Sequence, residues 1–276
     1  MDGVPYSWDN VFAAGKPGNL LSDGVYTYTF NHANRLLSVS GAGTTASYSY
    51  NGQGDRLSQT VGITTTTYTL DLAAGLTQVL SDGTDTYLYG DGRIAQSDTS
   101  GAQYFLGDAL GSVRQLVDAG GEVLLAQSYQ PYGEVLASVG EGESNYGFAA
   151  EMADSYIKLI YLRSRDYSPA TGRFLTKDSW QGNYTRPLSL NGWNYVEANP
   201  INFVDPSGYL KETEEGDADL ILDELKNAYS VLIRKDYGWG PNNVQGYGLC
   251  GNKWYEGAWK NLDELKWTKQ APSCRR

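Results

Sequence analysis

"YTFNHANRLLSV", residues 28–39, and "YSYNGQGDRLSQT", residues 48–60, share one pattern: aromatic-x-aromatic, an asparagine, a polar turn, then Arg-Leu. Arg35-Leu36 precedes Arg56-Leu57 by 21 residues. Successive side chains of a strand point to opposite faces, so the alternating rings belong on one face. Asn and Gly between them supply turn conformations. Each unit therefore reads as a strand, a tight turn and a second short strand. Weaker copies stand at "GNLLSDGVYTY" (18–28) and "TYLYGDGRIAQ" (86–96), and "GITTTTYTLD" (62–71) reads as one more β-branched strand. The pattern continues through "YFLGDALGSVRQLVDAGGEVLLAQSYQPYGEVL" (104–136), where Gly120-Gly121 predicts a hairpin turn.

Composition agrees. The 276 residues include 22 Tyr and 33 Gly, with charged residues at only 19%. That suits antiparallel sheet with many turns, and the length suffices to bury a core. The net charge is −11. Residues 210–276 carry 10 basic and 11 acidic side chains, so almost all of the excess lies in 1–209. An acidic body without basic clusters argues against nucleic acid or an anionic membrane as partner. The opening "MDGVPYSWDN" has neither a basic n-region nor an apolar run, so it is not read as a signal peptide. No stretch approaches the ~18 apolar residues of a spanning helix. The single histidine, His32, sits in a repeat turn, which disfavours Ser-His-Asp and Cys-His catalysis. Cys250 and Cys274 allow one disulfide in an oxidising compartment. With those thiols and carboxylates as the available ligands, no metal or cofactor is expected.

The character changes at "NPINFVDPSGY" (199–209), where Asp205-Pro206-Ser207-Gly208 has the composition of a β-turn. Beyond it, Leu220, Ile221, Leu225, Ala228, Tyr229, Leu232 and Ile233 recur at helical spacing, and "WKNLDELKW" (259–267) reads as a second short helix. Three segments result: a repeat sheet over 1–144, a denser aromatic and Pro-containing block over 145–209, and a helical tail over 210–276. In the middle block Trp180, Trp193 and Tyr195 read as core anchors.

"YLRSRDYSPATGRFLTKDSW" (161–180) holds the candidate chemistry. Asp166 beside Arg165 and Asp178 beside Lys177 flank a turn at Ser168–Gly172. Such acids in a hairpin are most often exposed ion pairs. Two acids brought close cannot both ionise cheaply, and their proton affinities then split into a base and an acid. Twelve residues across a tight turn could set the two opposite each other on neighbouring strands. "GDALGS" (107–112) lacks the lysine and the strand–helix context of a phosphate loop. The repeat Tyr and Arg side chains (Tyr28, Tyr48, Tyr50, Arg35, Arg56) are expected to stack within the sheet, with a carbohydrate or cell-surface ligand as the alternative.

Several long motifs in order, "YSYNGQGDRL", "LGDALGSVRQLVD", "YQPYGEVL", "YLRSRDYSPATGRFLTKDSW" and "LSLNGWNYVEANPINFVDPSG", resemble the YD-repeat/Rhs family and its Rhs repeat-associated core domain over roughly 18–209. The resemblance implies a twisted antiparallel β-strip that spirals into a shell, a core block that plugs it, and a variable C-terminal effector as cargo. It further implies an intramolecular aspartyl autoprotease that cuts just after the DPxG turn. Matched residue by residue, Arg165, Asp166 and Asp178 are its catalytic positions and Tyr209–Leu210 is the scissile bond, after Asp205, Pro206, Ser207 and Gly208. The expected partners are the chain's own tail and the N-terminal remainder of a longer shell. The expected location is secreted or at the cell surface of a bacterium. Against this stand a non-catalytic wall or adhesion module built from the same repeats, and a glycosidase using the two acids.

Overall fold

The computed structural model describes residues 6–9 and 18–209. The expected tail helices, the cysteine pair and Leu210 lie outside the described residues. Two antiparallel meanders account for most of the rest. The first sheet runs β1 (Ser7–Trp8), β2 (Leu20–Ser22), β3 (Tyr26–Phe30), β4 (Leu36–Gly41), β5 (Thr44–Tyr50), β6 (Arg56–Val61) and β7 (Thr64–Thr67). The second runs β8 (Thr69–Asp71), β9 (Gln78–Ser81), β10 (Thr86–Tyr89), β11 (Arg93–Asp98), β12 (Gly101–Gly107), β13 (Val113–Asp118), β14 (Val123–Tyr129) and β15 (Val135–Gly140). A third, smaller sheet holds β16 (Met152–Asp154), β17 (Leu159–Leu162), β18 (Arg165–Ser168) and β19 (Arg173–Phe174). Within each sheet, strands consecutive in the chain are hydrogen-bonded neighbours. The mainly β, antiparallel expectation is met.

The repeat's asparagine has a definite job. Asn51 Oδ1 accepts the amides of Gln53, Gly54 and Asp55, and Asn31 Oδ1 accepts those of Ala33 and Arg35. Asp82, Asp108 and Asp118 do the same in later hairpins. One side-chain oxygen thus satisfies turn donors that no strand can reach. Gly120-Gly121 forms the expected turn between β13 and β14, with Gly121 at φ 84°.

Residues 62–71 form two strands rather than one. Tyr68 divides them: its ring is buried, its amide bonds the Leu57 carbonyl and its hydroxyl reaches Gln59. Immediately after it, Thr69 takes Ser81 as partner, and the chain has crossed into the second sheet.

Strand alternation sorts the first sheet's faces. Outward hydroxyls pair across strands, Thr29 with Ser38 at 2.6 Å, Ser49 with Ser58 at 2.6 Å and Thr60 with Thr65 at 2.8 Å. Inward, Tyr28, Leu36, Val39, Ala46 and Tyr48 pack on Ile157, Leu159 and Leu175 of the third-sheet region. Tyr68, Tyr87 and Val113 pack on Tyr146 and Met152. The third sheet has its own core of Phe148, Leu162, Tyr167, Phe174 and Tyr195. Both large sheets therefore bury apolar surface against one small block. Tyr195 is a core anchor as expected. Trp193 is only half-buried, edge-on to Trp8 at 5.7 Å with its indole donating to the Gly18 carbonyl, and Trp180 is half-buried as well.

Asp154 ties block to sheet. Its Oδ2 accepts from Tyr48 at 2.9 Å and from Gln59 at 2.6 Å, and its Oδ1 takes the amides of Tyr156 and Ile157. Asp154→Ala strands the Tyr48 hydroxyl and two turn amides. It should cost about 2–4 kcal/mol, read as a lowered urea midpoint with an unchanged slope.

Candidate functional site

The middle strand of the small sheet carries the site. Arg165 and Asp166 are neighbours on β18, so alternation sends their side chains to opposite faces. Both are buried, and each finds a different counter-ion.

Arg165 faces the closing turn. Its Nη2 is 2.7 Å from Asp178 Oδ2 and 3.6 Å from Asp205 Oδ2. Its Nε donates to the Gly208 carbonyl and its Nη1 to the Gly192 carbonyl at 3.0 Å. The guanidinium lies 3.6 Å from the centre of the Phe174 ring. Asp178 is fixed in turn, its amide on the Gly192 carbonyl at 2.9 Å and its Oδ1 accepting the Trp180 amide at 2.8 Å. Asp205 Oδ1 accepts the Tyr209 amide and the Ser207 hydroxyl, both at 3.1 Å. Gly208 sits at φ 73°, where a side chain is strained, and an added Cβ would strike the Leu162 carbonyl and Ser164 Oγ.

Asp166 faces the first sheet. Its Oδ1 meets Arg56 Nη2 at 2.7 Å. The Arg56 guanidinium is sandwiched between Tyr48 at 4.1 Å and Tyr161 at 3.8 Å. The expected stacking of repeat Tyr and Arg side chains is what the sheet contains.

Burial raises the Asp178 carboxyl above its usual range, with the Arg165 charge pulling the other way. Burial raises Asp166 likewise, against Arg56. Burial lowers Arg165 despite Asp178 and Asp205 beside it. Arg165 thus stands beside two carboxylates in a site where burial disfavours charge.

The structure thus brings Arg165, Asp178, Asp205, Gly208 and Tyr209 together. It does not set Asp166 opposite Asp178. β18 pairs Tyr167 with Phe174 and Ser168 with Arg173, the strand ends there, and Asp178 lies in the loop beyond. Two side chains of these clusters are not marked as such by the sequence. Asp205 reads there as a turn residue, yet its carboxylate joins Arg165. The pairing of Arg56 with Asp166 spans 110 residues, and no local pattern carries it. Among the described residues no group of three or more His, Cys, Asp or Glu is placed to hold a metal.

Comparison with known proteins follows the same lines. Residues 76–201 match the family model of the teneurin YD-shell. The chain is 32% identical over 213 residues to the tRNA3(Ser)-specific nuclease WapA of Bacillus spizizenii, covering 73% of this chain and 9% of that protein. It is 32% identical over 114 residues to double-stranded DNA deaminase toxin A of Burkholderia cenocepacia, covering 38% of this chain and 7% of that protein. Among solved structures, a Photorhabdus luminescens Tc holotoxin pore shares the fold with a TM-score of 0.55 at 21% identity, over 73% of this chain and 11% of that one. The chain therefore spans about a tenth of these relatives' length.

The two charge clusters should respond differently to loss of an acid. Asp166→Asn leaves Arg56 without a carboxylate among the described residues and should cost about 3–5 kcal/mol. Asp178→Asn leaves Arg165 on Asp205 and two carbonyls and should cost clearly less. The pH dependence follows from the raised Asp178 carboxyl. Its contribution to stability is full below the unfolded value of 3.8 and is lost as pH rises through the higher folded value. The deficit of Asp178→Asn relative to wild type should therefore shrink with rising pH, as measured by urea denaturation at several pH values.

Proposed function

We propose, from the premise that this chain belongs to the YD-repeat/Rhs family, that its core block cuts its own chain at Tyr209–Leu210 and so releases residues 210–276. The body is a shell-like β scaffold of the kind seen in its structural neighbours. The observation that carries the reading is the buried cluster in which Arg165 joins Asp178, Asp205 and the Gly208 carbonyl one residue ahead of that bond.

The chemistry is hydrolysis. The ionised member of the Asp178–Asp205 pair takes a proton from water, whose oxygen adds to the Tyr209 carbonyl carbon. The protonated member gives its proton to the Leu210 nitrogen as the C–N bond breaks. Arg165 holds the Gly208 carbonyl and stands beside both acids. Asp166, engaged by Arg56 on the other face, acts through the strand: with it in place, β18 presents Arg165 toward the turn. The 145–209 block is the protease and plug, the 1–144 repeats are the scaffold, and the tail is substrate and cargo. A secreted or surface-exposed toxin-like protein, joined to further shell repeats, is the setting that fits this arrangement. The relatives named as nuclease and deaminase supply the precedent for an effector.

The intact mass of freshly purified protein tests the reading. Wild type should yield two pieces divided after Tyr209, and Asp178→Asn and Asp205→Asn a single chain. One uncut wild-type chain would favour a non-catalytic structural module. Asp166 needs a paired variant, because its loss strands a buried charge. Asp166→Asn should be uncut, and Asp166→Asn with Arg56→Met should recover cleavage. A folded but uncut double variant would instead make Asp166 a catalytic group.

A further inference from the structure

Three consecutive residues meet three consecutive carbonyls ahead of the scissile bond. Arg163 Nη1 donates to the Pro206 carbonyl at 2.5 Å. Ser164 donates twice to the Ser207 carbonyl, from its amide at 3.3 Å and from its hydroxyl at 2.8 Å. Arg165 Nε donates to the Gly208 carbonyl. In an extended strand, neighbouring side chains would diverge to opposite faces. Here Arg163-Ser164 is the two-residue loop between β17 and β18, and Arg163 is left-handed at φ 52°. That break in alternation lets successive residues face one segment.

The Arg163 side chain is itself braced. The same Nη1 meets Glu151 Oε1 at 2.7 Å, and Nε donates to the Thr77 carbonyl of the second sheet at 3.3 Å. The pair is largely buried, where a charge-assisted bond is strong and geometrically strict. The contacts from 163–165 to residues 206–208 are to main chain, and the turn side chain that Arg165 also meets, Asp205 at 3.6 Å, lies ahead of the counted carbonyls. The Tyr209 side chain is half-exposed. Close approach of the two segments is possible because residue 208 has no Cβ to meet the Leu162 carbonyl and Ser164 Oγ.

Resting on the self-cleavage reading, we infer that Arg163, Ser164 and Arg165 form a backbone clamp that fixes the cut by counting carbonyls, not by recognising side chains. Three fixed carbonyls at 206–208 place the next peptide unit, whatever its side chain, at the Asp178–Asp205 pair. Arg163 and Ser164 are positioning residues in this scheme, since neither touches the reacting atoms.

Insertion of one glycine between Gly208 and Tyr209 separates position from identity. Peptide mapping should find the new cut between the inserted glycine and Tyr209, so that the released piece begins at Tyr209. A cut still following Tyr209 would overturn the clamp. The second variant is Arg163→Met with Glu151→Gln, which removes both charges together and keeps similar volume. It should fold with a wild-type-like spectrum and cleave at least about tenfold more slowly, the loss expected for one charge-assisted hydrogen bond. Cleavage at the wild-type rate would overturn the assignment of Arg163. Should wild type itself stay whole, the self-cleavage reading fails and the counting of the cut falls with it. Hydrogen exchange then decides the clamp alone. The Ser164 amide should be protected in wild type and exchange about tenfold faster in the double variant. Equal exchange in both would remove the clamp as well.

Discussion

One strand with a buried charge on each face organises the molecule. β18 sends Arg165 to one side and Asp166 to the other, and neither can stay ionised in that environment without a partner. Leaving either unpaired would cost several kcal/mol, a large share of the stability of a domain. The partners come from far apart in the chain: Arg56 from the first sheet, Asp178 and Asp205 from the loops after β19. Meeting those two demands fixes the first sheet, the small sheet and the closing turn relative to β18. Apolar burial supplies most of the driving force through the three cores. It is non-directional, however, whereas each ion pair joins one particular residue to another.

That division explains what could be read from sequence. Hairpins were legible because each is local: period-2 aromatics, an Asn or Asp whose oxygen collects turn amides, and a glycine where φ must be positive. The unit containing Asn51 carries all of these in thirteen residues, and the structure follows it closely. The crossing at Tyr68 was illegible, since 62–71 is uniformly strand-forming and only tertiary partners divide it. The site was half legible. Arg165, Asp178 and the turn at 205–208 were marked by motif, and they converge. Asp166 was marked by the same motif, but strand alternation alone should have separated it from Arg165. Spacing across a turn says which residues can be opposite only while the strand lasts, and β19 ends at Phe174, before Asp178.

The two buried arginines also show how one residue type serves two ends. Arg56 is stacked between Tyr48 and Tyr161 and pairs with a single carboxylate, an arrangement in which its charge is fully answered. Such a site is built for stability and registration. Arg165 lies against Phe174 but is shared between two carboxylates and two carbonyls. Two acids beside one guanidinium are the arrangement that the proposed acid–base chemistry would use, whereas a single answered pair serves as a brace.

The geometry further favours chemistry on the chain itself over chemistry on a foreign substrate. Gly208 and Tyr209 reach the acids by covalent continuation of the turn that supplies Asp205, so in the proposed reaction folding itself would meet the entropy of bringing substrate to site. For the proposed cleavage, the same continuity would limit the site to one event. A cut after Tyr209 leaves Asp205 through Gly208 clamped on Arg163, Ser164 and Arg165, with every contact ahead of the bond intact. The new chain end would occupy the position that a second substrate needs. Folding, rather than diffusion, would then set when the reaction occurs, since the acids, the arginine and the Gly208–Tyr209 segment come together only when the small sheet and the turn are in place.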